Sequence, residues 1–107
     1  TPEQIPAIVE EGLRLANKAT VEFLEKYGDA DACGFAWTTI YGVRSNTKMG
    51  MALQRAGASK AYTGGLQFWG PDKTGTQSIS AKETGANAMA VYLRCFGFDA
   101  SVGSRMD

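Results

Sequence analysis

Histidine is absent from the 107-residue chain, which removes the commonest general base, the commonest zinc ligand and the usual sensor of pH near neutrality. Cysteine is scarce: Cys33 and Cys95 are too few for a disulfide scaffold or a CxxC metal site. Their apolar neighbours, Ala32 and Phe35 for one and Leu93 and Phe96 for the other, predict reduced core side chains. No apolar run approaches the roughly 20 residues that span a bilayer. No basic, then apolar, then small-residue pattern opens the chain either, so the expectation is a cytoplasmic protein with no membrane partner. Net charge is also missing. Eleven Lys+Arg balance eleven Asp+Glu, which excludes a basic coat made for wholesale phosphate neutralisation. The scattered carboxylates lack EF-hand spacing. Gly70 to Gly75 has the glycine spacing of a P-loop but continues into Thr76-Gln77 instead of Lys-Ser/Thr. No motif implies a cofactor, and no catalytic residue is assigned.

What is present suits one globular domain, with 44% hydrophobic residues and 21% charged. Thr1-Pro2-Glu3-Gln4 combines an N-cap, a helix-initiating proline and a capping-box glutamine. Apolar residues then recur at Ile5, Ile8, Val9, Leu13, Ala16, Thr20, Phe23, Leu24 and Tyr27, close to a 3.6 period, up to Gly28. This predicts an amphipathic helix over residues 1–28. Its length, nearly 40 Å at about 1.5 Å per residue, exceeds what so small a domain covers. It must overhang, bend near Gly12, or pack against a second chain; the expectation is a homodimer formed through this helix or through the aromatic sheet face.

From residue 33 the pattern becomes extended. Phe35, Trp37 and Tyr41 alternate with Gly34, Ala36 and Thr38, which predicts a strand with one aromatic face and one face that a helix approaches closely. Ser45 or Asn46 caps a short helix through Met49, Ala52, Leu53 and Ala56. Residues 61–69 read as a second strand bulged at Gly64-Gly65, 70–75 as a hairpin loop and 76–80 as a third strand. Ser80-Ala81-Lys82-Glu83 opens a further helix that stops at Gly97, and 98–102 form the last strand. The prediction is an α+β fold: a ferredoxin-like β-α-β-β-α-β antiparallel sheet over 33–102, with an additional long N-terminal helix and a frayed tail over 103–107.

Charge is polarised. Residues 1–32 hold three cations against seven anions, −4, and residues 33–107 hold eight against four, +4. Between Ile40 and Tyr62 no acidic residue interrupts Arg44, Lys48, Arg55 and Lys60. Strand aromatics stack bases, and cations near a helix start hold phosphates. Phe35 and Trp37 with Arg44 and Lys48 are therefore the leading candidate surface, for a partner protein or a nucleic acid. The RNP spelling of RNA-recognition motifs is not matched. The alternative is a small-ligand or enzymatic pocket formed by Trp37, Arg44, Asn46, Tyr62 and Arg105.

Three short stretches, Cys33-Gly34-Phe35-Ala36-Trp37, Tyr62-Thr63-Gly64-Gly65 and Gly103-Ser104-Arg105-Met106-Asp107, resemble a group of small uncharacterised proteins encoded by tailed bacteriophages. The resemblance covers roughly residues 32 to 107. It implies synthesis in a bacterial host's cytoplasm and carries no activity with it.

Overall fold

The N-terminal signals act as their chemistry predicts. In the computed structural model, which describes residues 1–29, 32–61 and 64–107, the Thr1 ammonium donates to the Gln4 side-chain carbonyl at 3.0 Å. A 3-10 turn over Pro2–Gln4 leads into helix α1, Ile5–Tyr27, which ends at Gly28 with φ of 77°. There follow β1 (Gly34–Tyr41), α2 (Lys48–Arg55), β2 (Ser59–Lys60), β3 (Leu66–Trp69), α3 (Ile79–Arg94) and β4 (Asp99–Met106). The fold is α+β, with a long N-terminal helix and a four-stranded antiparallel sheet in the order β2-β3-β1-β4.

Period-two alternation assigns the faces of the sheet. Gly34, Ala36, Thr38 and Ile40 are all buried, and this small side of β1 receives α3. The buried Thr38 hydroxyl donates to the Ala86 carbonyl at 2.8 Å, so the polar atom placed in the core is satisfied. Ile40, Leu66, Phe68 and Ala100 from the sheet join Ile5, Val9, Leu53, Met89 and Leu93 from the helices in one core.

Helix α1 lies antiparallel on α3, with Gly12 against Met89, and Ala16 and Thr20 against Gly85. Thr20, fully buried, donates from its hydroxyl to the Ala81 carbonyl at 2.8 Å. Beyond Thr20 the helix is more open, and Tyr27 is 62% exposed. The end of the helix thus overhangs the body, and Gly12 serves close approach to α3. Asp29 then clasps the end of α1 to the start of α3, accepting from the Thr76 hydroxyl at 2.5 Å and the Ser78 N–H at 3.1 Å.

Several expectations need correction. Of the strand expected over 61–69 the described residues form strand only at Leu66–Trp69, β3; the two-residue β2, Ser59–Lys60, precedes the expected range, and the Ala61 N–H donates to the Gly65 carbonyl between them. Residues 76–80 form no strand: Thr76 and Ser78 serve Asp29, and Ser78 caps α3 by accepting from the Ala81 N–H, two residues before the cap expected at Ser80. Residues 70–75 consequently link β3 to α3, with the Asp72 carboxylate accepting from the N–H and hydroxyl of Thr74. Residues 103–106 are not a frayed tail but the second half of β4, paired with β1 as far as Met106 opposite Gly34. Finally, both cysteines are exposed. Cys33 sits in an isolated bridge to Ser78 just before β1, and Cys95 is the C-cap of α3.

The α1–α3 contact yields a test. A β-carbon on Gly85 would overlap the Thr20 hydroxyl and stand 2.9 Å from the Ala16 carbonyl oxygen, which is backbone and cannot swing aside. Overpacking costs about 1–3 kcal/mol, offset by about 1 kcal/mol of helix propensity gained over glycine. Gly85→Ala is expected to destabilise the fold by up to about 2 kcal/mol in urea unfolding, and increased stability would contradict the packing.

Candidate functional site

The helices leave the other side of β1 uncovered. Phe35 and Trp37 are half-buried on it and Tyr41 ends the row, 41% exposed, while Thr39 on the same side is buried at 4% exposure. Cross-strand pairing brings Trp69 beside Trp37, Gln67 beside Thr39, Arg105 beside Phe35, Gly103 beside Trp37 and Ser101 beside Thr39. The Trp37 and Trp69 rings are stacked, with centroids 4.8 Å apart and planes within 6°. Phe35 meets Trp69 at 5.8 Å in a tilted contact. Trp69 is 44% exposed, so the stack offers a ring to solvent.

Gly103 makes the arrangement fit, because a β-carbon there would overlap the indole nitrogen of Trp37. At the Phe35 end two cations converge. The Lys82 ammonium, held by donation to the Gly34 carbonyl at 2.8 Å, lies 5.1 Å from the ring centroid, and the Arg105 guanidinium lies 5.5 Å from it. Asp107, next in the alternation, donates its N–H to the Cys33 carbonyl. Among the described residues it makes no ion pair with Arg105. Asp99, opposite Tyr41, puts a carboxylate at the far end of the row. Rings, two cations, hydroxyls and an amide give this face the means to stack planar groups, attract an anion at one end and exchange hydrogen bonds in the middle.

The residues singled out from sequence fall in three places. Phe35, Trp37 and Arg105 share the open face. Arg44 and Asn46 are in the loop after β1 and line a cleft with Lys60 at the other end of that strand. The loop is pinned there: the Thr47 hydroxyl donates to the Arg44 carbonyl at 2.7 Å and accepts from the Gly50 N–H, so Thr47, not Ser45 or Asn46, caps α2. Lys48 belongs to the helical layer, where it faces α1 across a groove. Tyr62 lies outside the described residues. Arg44 follows Tyr41 while Arg105 is opposite Phe35, and the stretch of strand from 35 to 41 spans roughly 20 Å. One pocket does not hold both arginines.

Trp69 and Lys82 are site residues that the sequence reading does not include. Trp69 is signalled by its alternation with Gln67 in Leu66–Trp69, once that segment is recognised as a separate strand; Lys82 reads in sequence only as a first-turn helix residue. Among the described residues, no cluster of three or more His, Cys, Asp and Glu could hold a metal ion, and no helix is long and apolar enough to cross a membrane. Compared with protein-family models, curated proteins and solved structures, the chain matches none.

Because the chain has only two tryptophans and they form the stack, their exciton-coupled circular dichroism reports it directly. Gly103→Val is expected to abolish that signal while leaving the far-ultraviolet helix signal in place. A couplet that survives the substitution would show that the indole is not seated on Gly103.

Proposed function

We propose that the open sheet face is a non-enzymatic binding platform for single-stranded nucleic acid, taking bases on the Trp37–Trp69–Phe35 rings and backbone phosphate at Lys82 and Arg105. The observation that carries the reading is the stacked tryptophan pair, half-open to solvent, with two cations gathered at one end. Base–aromatic stacking contributes about 1–3 kcal/mol per base and tolerates any sequence, since every base has a π face. Duplex DNA buries those faces, which makes the single strand the fitting form. The middle of the row, Ser101 and Gln67, supplies donors and acceptors suited to base edges or sugar hydroxyls.

The reading takes the body as ferredoxin-like. Its support is the β-α-β-β-α-β succession after α1 and the position of β1 and β3 in the middle of the sheet. Such a body covers one sheet face with helices and leaves the other for a ligand. Production in a bacterial cytoplasm belongs to the same proposal and rests on the phage resemblance alone.

Titrating the intrinsic fluorescence with a mixed-sequence oligonucleotide tests the platform, because both tryptophans lie in it. Single strands are expected to quench the emission and a duplex of equal length to bind far more weakly. Trp69→Ala should weaken binding roughly 5- to 150-fold, the equivalent of one stacked base. Arg105→Ala should lower affinity and make the salt slope shallower by about 0.7, the share of a single phosphate. Equal affinity of wild type and Trp69→Ala, or a preference for duplex, would overturn the reading; saturable binding of a protein partner blocked by Trp69→Ala would redirect it.

A further inference from the structure

The helical layer carries a second recessed surface that the sheet platform does not use. Between the first turns of α1 and helix α2 runs a groove of about 600 Å³. Its floor is apolar, made by Val9 and Leu13 from α1 and by Met51 and Ala52 from α2.

The two rims carry opposite charge at matching intervals. On the α1 side stand Glu3 and Glu10; on the α2 side stand Lys48 and Arg55. Each pair is separated by two helical turns, so each rim presents charges at heptad spacing along one side of an apolar seam. Among the described residues none of these four forms an ion pair. An apolar seam with an acidic and a basic rim is the surface a helix presents to a further helix in a bundle.

We infer that this groove is a docking site for an amphipathic helix of a partner protein, about three turns long, with one basic flank against Glu3 and Glu10 and one acidic flank against Lys48 and Arg55. The length follows from the stretch between Pro2 and Leu13, the 3-10 turn and the first turns of α1, that lines it, about 17 Å at 1.5 Å per residue. Turning a bound helix end for end exchanges its flanks. The opposed rims therefore select mixed-flank helices and fix their direction, whereas a helix with both flanks of one sign meets a like charge along one rim.

Three labelled peptides of about 16 residues, long enough to hold helix in solution, test this by fluorescence anisotropy. All carry the same apolar stripe, with flanks that are mixed, all Lys or all Glu. The mixed peptide is expected to bind at least about tenfold more tightly than either of the others. Lys48→Glu with Arg55→Glu makes both rims acidic and is expected to transfer the preference to the all-Lys peptide. Glu3→Lys with Glu10→Lys should transfer it to the all-Glu peptide, which keeps the test decisive if one double variant fails to fold. Equal binding of all three peptides, no binding by any, or preferences that ignore the rim reversals would overturn the inference. The groove lies in the helical layer and Trp37 on the opposite side of the sheet, so failure here leaves the nucleic-acid reading standing, and the converse also holds.

Discussion

Strand β1 must serve two incompatible neighbours, and the alternation of its side chains is what lets it do so. One side carries Gly34, Ala36, Thr38 and Ile40 and admits α3 so closely that a β-carbon on Gly34 would sit 2.6 Å from the Ile79 side chain. Having given its small residues to the helix, the strand has only Phe35, Trp37, Thr39 and Tyr41 for the other side. A slip of one residue would drive aromatic rings into α3 and put Ile40 in water. The register is fixed from both sides by this cost, and β3 and β4 inherit it through their pairing with β1.

Close approach by residues without bulky side chains recurs where the molecule is most tightly defined. Gly85 and Ala16 bring α1 onto α3, Gly50 receives the Arg44 carbonyl at the start of α2, and Gly103 receives the Trp37 indole. The first two approaches assemble the scaffold; the third shapes the exposed surface. The aromatic stack is therefore held by the same device as the core, although it faces solvent. That gives it a defined geometry without burial, the condition under which a flat ligand meets a surface that has already lost its conformational freedom.

Much of this is legible from residue order. The α1 periodicity with its Gly28 terminator and the alternation in β1 both follow from local pattern. The same pattern misplaces the hairpin, because Gly64-Gly65 and Gly70–Gly75 both look like turns and nothing local says which one reverses the chain. Long-range hydrogen bonds decide it: Asp29 recruits Thr76 and Ser78, which removes 76–80 from the sheet. The second half of β4 is hidden for the complementary reason. Gly103-Ser104-Arg105 has little strand preference of its own, and only pairing along β1 makes it a strand. The expected burial of the cysteines fails because apolar neighbours in sequence do not imply an inward-facing position at the end of an element.

The sheet also has two very different margins. On one side it stops at β2, Ser59–Lys60; on the other it stops at β4, Asp99–Met106, with no further strand beyond it among the described residues. Such a margin invites other strands to add on, and proteins that avoid this interrupt the margin with charge and irregularity. Strand β4 does so with Asp99 near one end, Arg105 near the other and a glycine between them. The residues that seat and flank the rings thus also give this margin the charge and irregularity that disfavour strand addition.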